Sequence, residues 1–249
     1  MRTAAASAKR TTAPKLAPAC DVCGAGAHGV YALAHNASDE HVSAARIDAS
    51  AVRANALITR AGEAPAYVHT LRRGWAMQVA HLSDGRRQIL HFFIPGDLLG
   101  IEALLFGARS PGASIRALTD VDICTFPVDA MRTVLEMSPE QRERFLDYAH
   151  AYIAGLSRRL ADVGQRSAQG RLAQLLLELW QRLEARGLTT GDSFEMPVRQ
   201  EHLADALGMT PVHVNRTLGA LRSAGIIGFD RKNMHVLDSV RLSKIAEDE

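Results

Sequence analysis

The sequence predicts an α+β protein built from an antiparallel β-domain, one long helix and a C-terminal winged helix-turn-helix. Three observations carry this. Gly62, Gly74, Gly85 and Gly96 recur at intervals of 12, 11 and 11 residues between short strand-like segments. Leu146, Ala149, Ile153, Leu156, Leu160 and Val163 are then separated by 3, 4, 3, 4 and 3 residues. Finally, Gln200 to Leu221 has the caps and apolar spacing of two short crossed helices.

The β-domain is read from "YVHTLRR", "AMQVAHL", "QILHFFI", "SIRAL" and "VDICTF". Short strands at such regular spacing mark a sandwich or barrel, and Asp84-Gly85 is a strong hairpin dipeptide. Ser138-Pro139-Glu140 opens a helix with serine at the N-cap and proline at N1. The alternating 3 and 4 spacing that follows is an a/d seam. It fits a partner helix in a parallel homodimer; a helix packed on its own domain is the alternative. Leu172, Leu175, Leu176, Leu179 and Leu183 then place a second helix against a core. The expected division is a basic, cysteine-containing leader (1–35), the β-domain (36–137), the pairing helix (138–166) and the C-terminal domain (167–249).

"QEHLADALGMTPVHVNRTLGAL" carries the chemistry. Leu203, Ala204 and Leu207 form the apolar face of a first helix, and Gly208 sits where the turn needs positive φ. Thr210 caps a second helix with Pro211 at N1, and Val214, Leu218 and Leu221 face the core. Val212, His213, Asn215, Arg216 and Gly219 are then left to face a DNA groove. Arginine pairs bidentately with guanine and asparagine with adenine. In "IIGFDRKNMHVL", two short strands flank a basic turn, so that Arg231 and Lys232 form the tip of a wing suited to phosphate. A solvated charged turn is the other reading of these two residues. Two-fold pairing would set two reading helices in successive major grooves, roughly 34 Å apart.

The bulk composition is ordinary for a soluble globular protein, and free thiols suit a reducing cytoplasm. The chain has 249 residues and a net charge of only +2, so nucleic-acid binding must come from local clustering of charge. No run approaches the ~18 apolar residues of a membrane helix. Three cysteines, an odd number, argue against a secreted disulfide scaffold. The first nineteen residues contain no acidic residue and no apolar core, which excludes an ordinary signal peptide and reads as a disordered basic tail. A transit peptide shares that composition. No G-x-S-x-G, H-E-x-x-H or P-loop is present and the ten histidines lack ligand spacing, so no enzyme is expected.

The stretch "CDVCGAGAHG" overlays a C-x-x-C pair, Cys20 and Cys23, on a G-x-G-x-x-G fingerprint at Gly24, Gly26 and Gly29. The dinucleotide reading needs a preceding strand and an opening helix. Neither is predicted there, so only the cysteines keep a meaning.

The order of β-domain, long helix and winged helix-turn-helix resembles the Crp/Fnr family of bacterial transcription regulators. "FFIPGDLLGIEALLF" is similar to that family's β-roll signature, and "LADALGMTPVHVNRTLGALRSAGII" to its reading motif. The resemblance implies a double-stranded β-roll of the cyclic-nucleotide-binding type, a homodimer on a palindromic site, and RNA polymerase as a partner, with the Asp84-Gly85-Arg86 hairpin as one place for it to touch.

The resemblance also frames the effector. In the cAMP-binding branch a glutamate follows the G-D-x-x-G turn, and a later Arg-Ser pair holds the cyclic phosphate. Here Ile101 follows Gly100, Glu102 is one place late, and Pro111-Gly112 stands at the Arg-Ser position, with Arg109-Ser110 two residues earlier. Without a placed guanidinium the phosphate lacks its charge-assisted bonds, so cAMP is disfavoured. In the Fnr branch an iron–sulfur cluster is held by three N-terminal cysteines and one in the β-roll. Cys20, Cys23 and Cys124 match three of those positions. Gly29 stands at the fourth, with His28 beside it as a substitute ligand. A cluster or metal site, a thiol-redox site and a vestigial site are the three alternatives. Oxygen-responsive members also carry an acidic residue in the dimer seam. The matching residue here is Leu156, which favours pairing without a cluster. In the reading helix Arg216 matches the family's arginine, whereas Val212 stands where many relatives have a glutamate. This implies a palindrome related to TTGAT-type half-sites but not identical to them.

Overall fold

The computed structural model describes residues 45–107 and 112–247. Cys20, Cys23, His28, Arg109, Ser110 and Pro111 lie outside the described residues.

The N-terminal half is two four-stranded antiparallel sheets facing one another. One has the order β1-β8-β3-β6, with β1 Asp48–Val52, β8 Val121–Pro127, β3 Tyr67–Arg73 and β6 Leu98–Leu99. The other has the order β2-β7-β4-β5, with β2 Leu57–Thr59, β7 Ser114–Ala117, β4 Ala76–His81 and β5 Arg87–Phe93. Chain reversals fall at the regularly spaced glycines. At Gly74, φ is 82° and a Cβ would collide with the carbonyl of Asp120, so only glycine fits.

Three helices close this β-roll: α1 (Ile101–Phe106), α2 (Val128–Met137) and α3 (Pro139–Gln165). Ser138 ends α2 and caps α3, its hydroxyl accepting from the Gln141 amide at 3.3 Å. The roll interior is filled by Val68, Leu71, Phe93, Leu98, Leu99, Ile123 and Phe126, and α3 adds Phe145, Ala149 and Tyr152 to it.

The C-terminal half contains α4 (Ala168–Glu184), β9 (Ser193–Glu195), α5 (Gln200–Leu207), α6 (Pro211–Ser223), β10 (Ile227–Asp230), β11 (Asn233–Val236) and α7 (Ser239–Glu247). The predicted leucines of α4 are all buried, against Leu203, Leu207, Leu218 and Leu221. This core does not stop at the second half. Trp75, Met77, Val79, Ile89, Phe92 and Ile94, on β4, β5 and the turns that bound them, belong to the same apolar cluster. Alternation explains how: Ala76 points into the roll, while Met77 and Val79 point out onto the C-terminal half.

The helix seam is corrected in one respect. Ala149, expected to face a partner, is 4% exposed inside its own subunit, and Leu156 is half-buried against the same roll. The roll occupies that flank of α3. What remains outward is Leu146, Ile153 and Leu160, seven residues apart and 56%, 49% and 77% exposed, with Val163 beyond them.

Buried titratable groups set an acid limit on this fold. Burial holds His69 down at about 4. Burial, followed by the Arg182 charge, holds His91 well below its ordinary value. His202 is also lowered by burial, and its Nδ1 accepts from the Arg199 amide, which requires an unprotonated ring nitrogen. Burial alone would raise Asp97, but the charges of Arg182 and Arg186 outweigh it and hold the carboxyl at about 2. The unfolded chain therefore takes up protons first. Stability is full above about pH 6.5, falls toward pH 4 as unfolded histidines protonate, and falls again between about 4 and 2 with Asp97. His69 alone contributes up to about 3 kcal/mol across its window. Urea unfolding in pH steps should show a flat midpoint at pH 7–8 and a decline beginning near 6.5; a flat midpoint down to pH 4 contradicts the assignment.

Candidate nucleic-acid interface

The reading helix is fixed by its own ends. Gly208 ends α5 with φ 63°, in the left-handed region that glycine reaches without strain. Thr210 caps α6, its hydroxyl accepting from the His213 amide at 3.2 Å, and Pro211 takes N1. Val214, Leu218 and Leu221 turn inward, and Thr217 is buried with its hydroxyl donating to the His213 carbonyl. The opposite face presents Val212, 80% exposed, with Asn215 and Arg216 exposed and His213 and Gly219 half-buried. Among the described residues, the side chains of Asn215 and Arg216 make no bond within the subunit.

β10 and β11 pair with Asp230 opposite Asn233, leaving Arg231 and Lys232 as a two-residue tip. Arg231 has φ 53°, a left-handed conformation that costs a non-glycine residue roughly 1–2 kcal/mol. The structure thus brings Asn215 of the reading helix and Arg231 and Lys232 of the wing onto one groove of about 290 Å³. Arg199, Gln200 and Arg222 line it too. None of these three is among the residues the sequence singles out; the signal for two of them is the position of Arg199 and Gln200 at the start of α5, where a cation stands at a helix N-terminus, a place suited to an anion.

The roll interior bears on the effector. Gln78 Nε2 donates to Glu102 Oε1 at 2.7 Å, and the Tyr152 hydroxyl of α3 donates to Gln78 Oε1 at 2.7 Å and lies 3.0 Å from Glu102 Oε1. Burial first, then the Glu102 charge, pushes the Tyr152 hydroxyl up, so it stays protonated as a donor. Thr59, Pro65, Gly100 and Ile115 complete the small space beside Gln78 and Glu102, and no described residue lining it is cationic. Cys124 is 3% exposed in β8, opposite Ala49 of β1 and Thr70 of β3. Among the described residues no group of three or more His, Cys, Asp or Glu could hold a metal. No helix among them is long and apolar enough to cross a membrane.

A β-roll joined by a long helix to a capped, outward-facing reading helix with a basic wing defines a class: one-chain transcription regulators with a sensor-like domain and a DNA reader. Residues 50–138 match the cyclic nucleotide-binding domain, and residues 170–245 the Crp-like helix-turn-helix domain. The transcriptional activatory protein AadR of Rhodopseudomonas palustris is 30% identical over 182 residues, 72% of this chain and 73% of that one. The anaerobic regulatory protein of Pasteurella multocida is 24% identical over 195 residues, 78% and 70% of the two chains. The structure of FixK2 from Bradyrhizobium japonicum superposes with a TM-score of 0.70 at 23% identity, covering 81% of this chain and 97% of that one. The chain belongs to the Crp/Fnr family of transcription regulators.

Proposed function

We propose that the protein acts as a homodimer on a palindromic DNA site, paired through α3 and reading each half-site with α6. In this reading 36–137 is the sensor unit, 138–166 the pairing helix and 167–249 the reader. The observation that carries it is the pair of unpartnered faces on one subunit. Leu146, Ile153 and Leu160 form an apolar stripe at heptad spacing, and Val212, Asn215 and Arg216 form a reading face whose side chains make no bond within the subunit among the described residues. Thr210 and His213 flank the same face, near the backbone. Sedimentation combined with gel-shift on palindromes and isolated half-sites tests the proposal; a lone subunit indifferent to palindromes ends it.

Arg231 and Lys232 are assigned to phosphate. An arginine held at φ 53°, where glycine would relieve strain, favours a role for its charge. Replacing both by alanine should weaken every sequence about equally and flatten the salt dependence by roughly one counterion per lost contact. A loss confined to particular base sequences would instead mean that the wing reads bases.

For the effector, a cyclic nucleotide is disfavoured because its phosphate would meet the Glu102 carboxylate with no described cation opposite. A redox or iron–sulfur role for Cys20, Cys23, Cys124 and His28 rests on the match of the three cysteines to the Fnr-type positions; of these residues only Cys124 is described, buried in β8. A cluster would use Cys124 and the leader cysteines as thiolate ligands; thiol chemistry without metal would use the same residues. Anaerobic purification with iron and sulfide analysis separates them, a colourless iron-free dimer ending the cluster reading. RNA polymerase is the partner this reading implies, with the exposed Asp84-Gly85-Arg86 hairpin as its candidate contact.

A further inference from the structure

The β5–β6 turn carries a carboxylate that belongs, in its contacts, to the reader. Asp97 is 1% exposed. Its Oδ2 accepts from the Ile94 amide at 2.8 Å, which locks the carboxylate within its own turn. From α4, Arg182 donates to Oδ2 at 2.6 Å; Arg186, just past the end of that helix, donates to Oδ1 at 2.6 Å. Both guanidinium groups also bind main-chain oxygens of the same region, Arg182 that of Phe92 at 3.1 Å and Arg186 that of Pro95 at 2.7 Å. A carboxylate gripped by two arginines has both oxygens committed and a defined orientation.

Further bonds tie the roll and the pairing helix to the same half of the molecule. Arg159 of α3 bonds Glu178 of α4 and the carbonyl of Leu90. Arg87 of β5 bonds Asp205 of α5, and Gln88 donates to the Ala206 carbonyl at 3.0 Å. Covalently, however, the reader is tied to the pairing helix only through Arg166 and Ser167, between α3 and α4. A two-residue link permits pivoting, while α4 packs directly into the core that holds α5 and α6. Fixing α4 therefore fixes the reading helix.

We propose that Asp97 is a positioning residue for DNA recognition, a latch by which the β-roll sets the placement of α4 and hence the separation of the two reading helices. This rests on the palindrome-reading dimer proposed above. In the full-length chain, Asp97→Asn keeps the shape and the bond from Ile94 but removes the charge that both arginines share. Wild type should melt as one cooperative unit in calorimetry, and the variant in two transitions. On palindromes whose half-sites are moved closer or further apart by one and two base pairs, wild type should discriminate by about tenfold or more. The variant should discriminate by about threefold or less, with base preference inside each half-site unchanged.

If wild type discriminates spacing and the folded variant does so equally, Asp97 merely stabilises the fold and the latch is overturned. If wild type itself ignores spacing, the dimer reading fails and takes the positional role with it, so the two failures are distinguishable. Should Asp97→Asn not fold, Arg186→Gln, which removes one arm of the latch, is judged by the same two measurements.

Discussion

Placing glutamate at both Ile153 and Leu160 should convert the protein to a single subunit and weaken its binding to a full palindrome about 100-fold or more, the range by which linked binding exceeds single-site binding. The physical case is symmetry. In a parallel pair each stripe residue lies near its own copy, so two substitutions bring four carboxylates together along an apolar seam. The subunit itself should be unaffected, because Ile153 and Leu160 are 49% and 77% exposed and fill no part of its core. Sedimentation velocity and circular dichroism check the two halves of this expectation. A variant that stays paired would place the seam elsewhere.

Arg216→Ala should cost about 1–3 kcal/mol per half-site, concentrated at one base position. Arg216 is exposed and makes no bond within its subunit among the described residues, so its guanidinium is free to meet the paired acceptors of a guanine. Truncation to alanine leaves Val214, Leu218 and the Thr210 cap in place, so α6 should keep its fold. Binding to a panel of sites with each base varied in turn is the measurement. Uniform loss on all of them would assign Arg216 to phosphate. Val212, 80% exposed on the same face, cannot accept a hydrogen bond, and its reach to a thymine methyl would show as a preference in the same panel.

Much of the molecule was legible in local sequence because the determinants are local. Thr210 and Pro211 start α6, Gly208 ends α5, and Ser138 starts α3, each through bonds made within a few residues. The strands of the roll announce themselves by their glycine-bounded spacing. The docking of the two halves has no local determinant, although a trace of it lies in "WAMQV" and "HFFI". Gln78 and His91 apart, these runs are apolar on successive residues, and in an antiparallel strand that means both faces are covered. Inside lies the roll; outside lie Leu172, Leu176 and their neighbours. The outward seam on α3 is narrower than its sequence spacing predicts, for a related reason. A 3 and 4 spacing describes a stripe but not which edge of it a neighbouring domain claims, and here the roll claims Ala149 and part of Leu156.

By itself the sequence determined the central strands of the roll, the long helix, the reading helices with their wing, the order of these parts and the face that α6 turns outward, since caps, turn glycines and apolar periodicity act over a few residues. Tertiary structure alone decided which carboxylate meets which guanidinium. Asp97 lies 85 and 89 residues from Arg182 and Arg186, and no local pattern encodes a pairing made only when the reader settles against the roll. The physical reason is range: hydrogen-bonded caps are settled within one turn of chain, whereas a buried ion pair exists only after folding has removed the water between its partners.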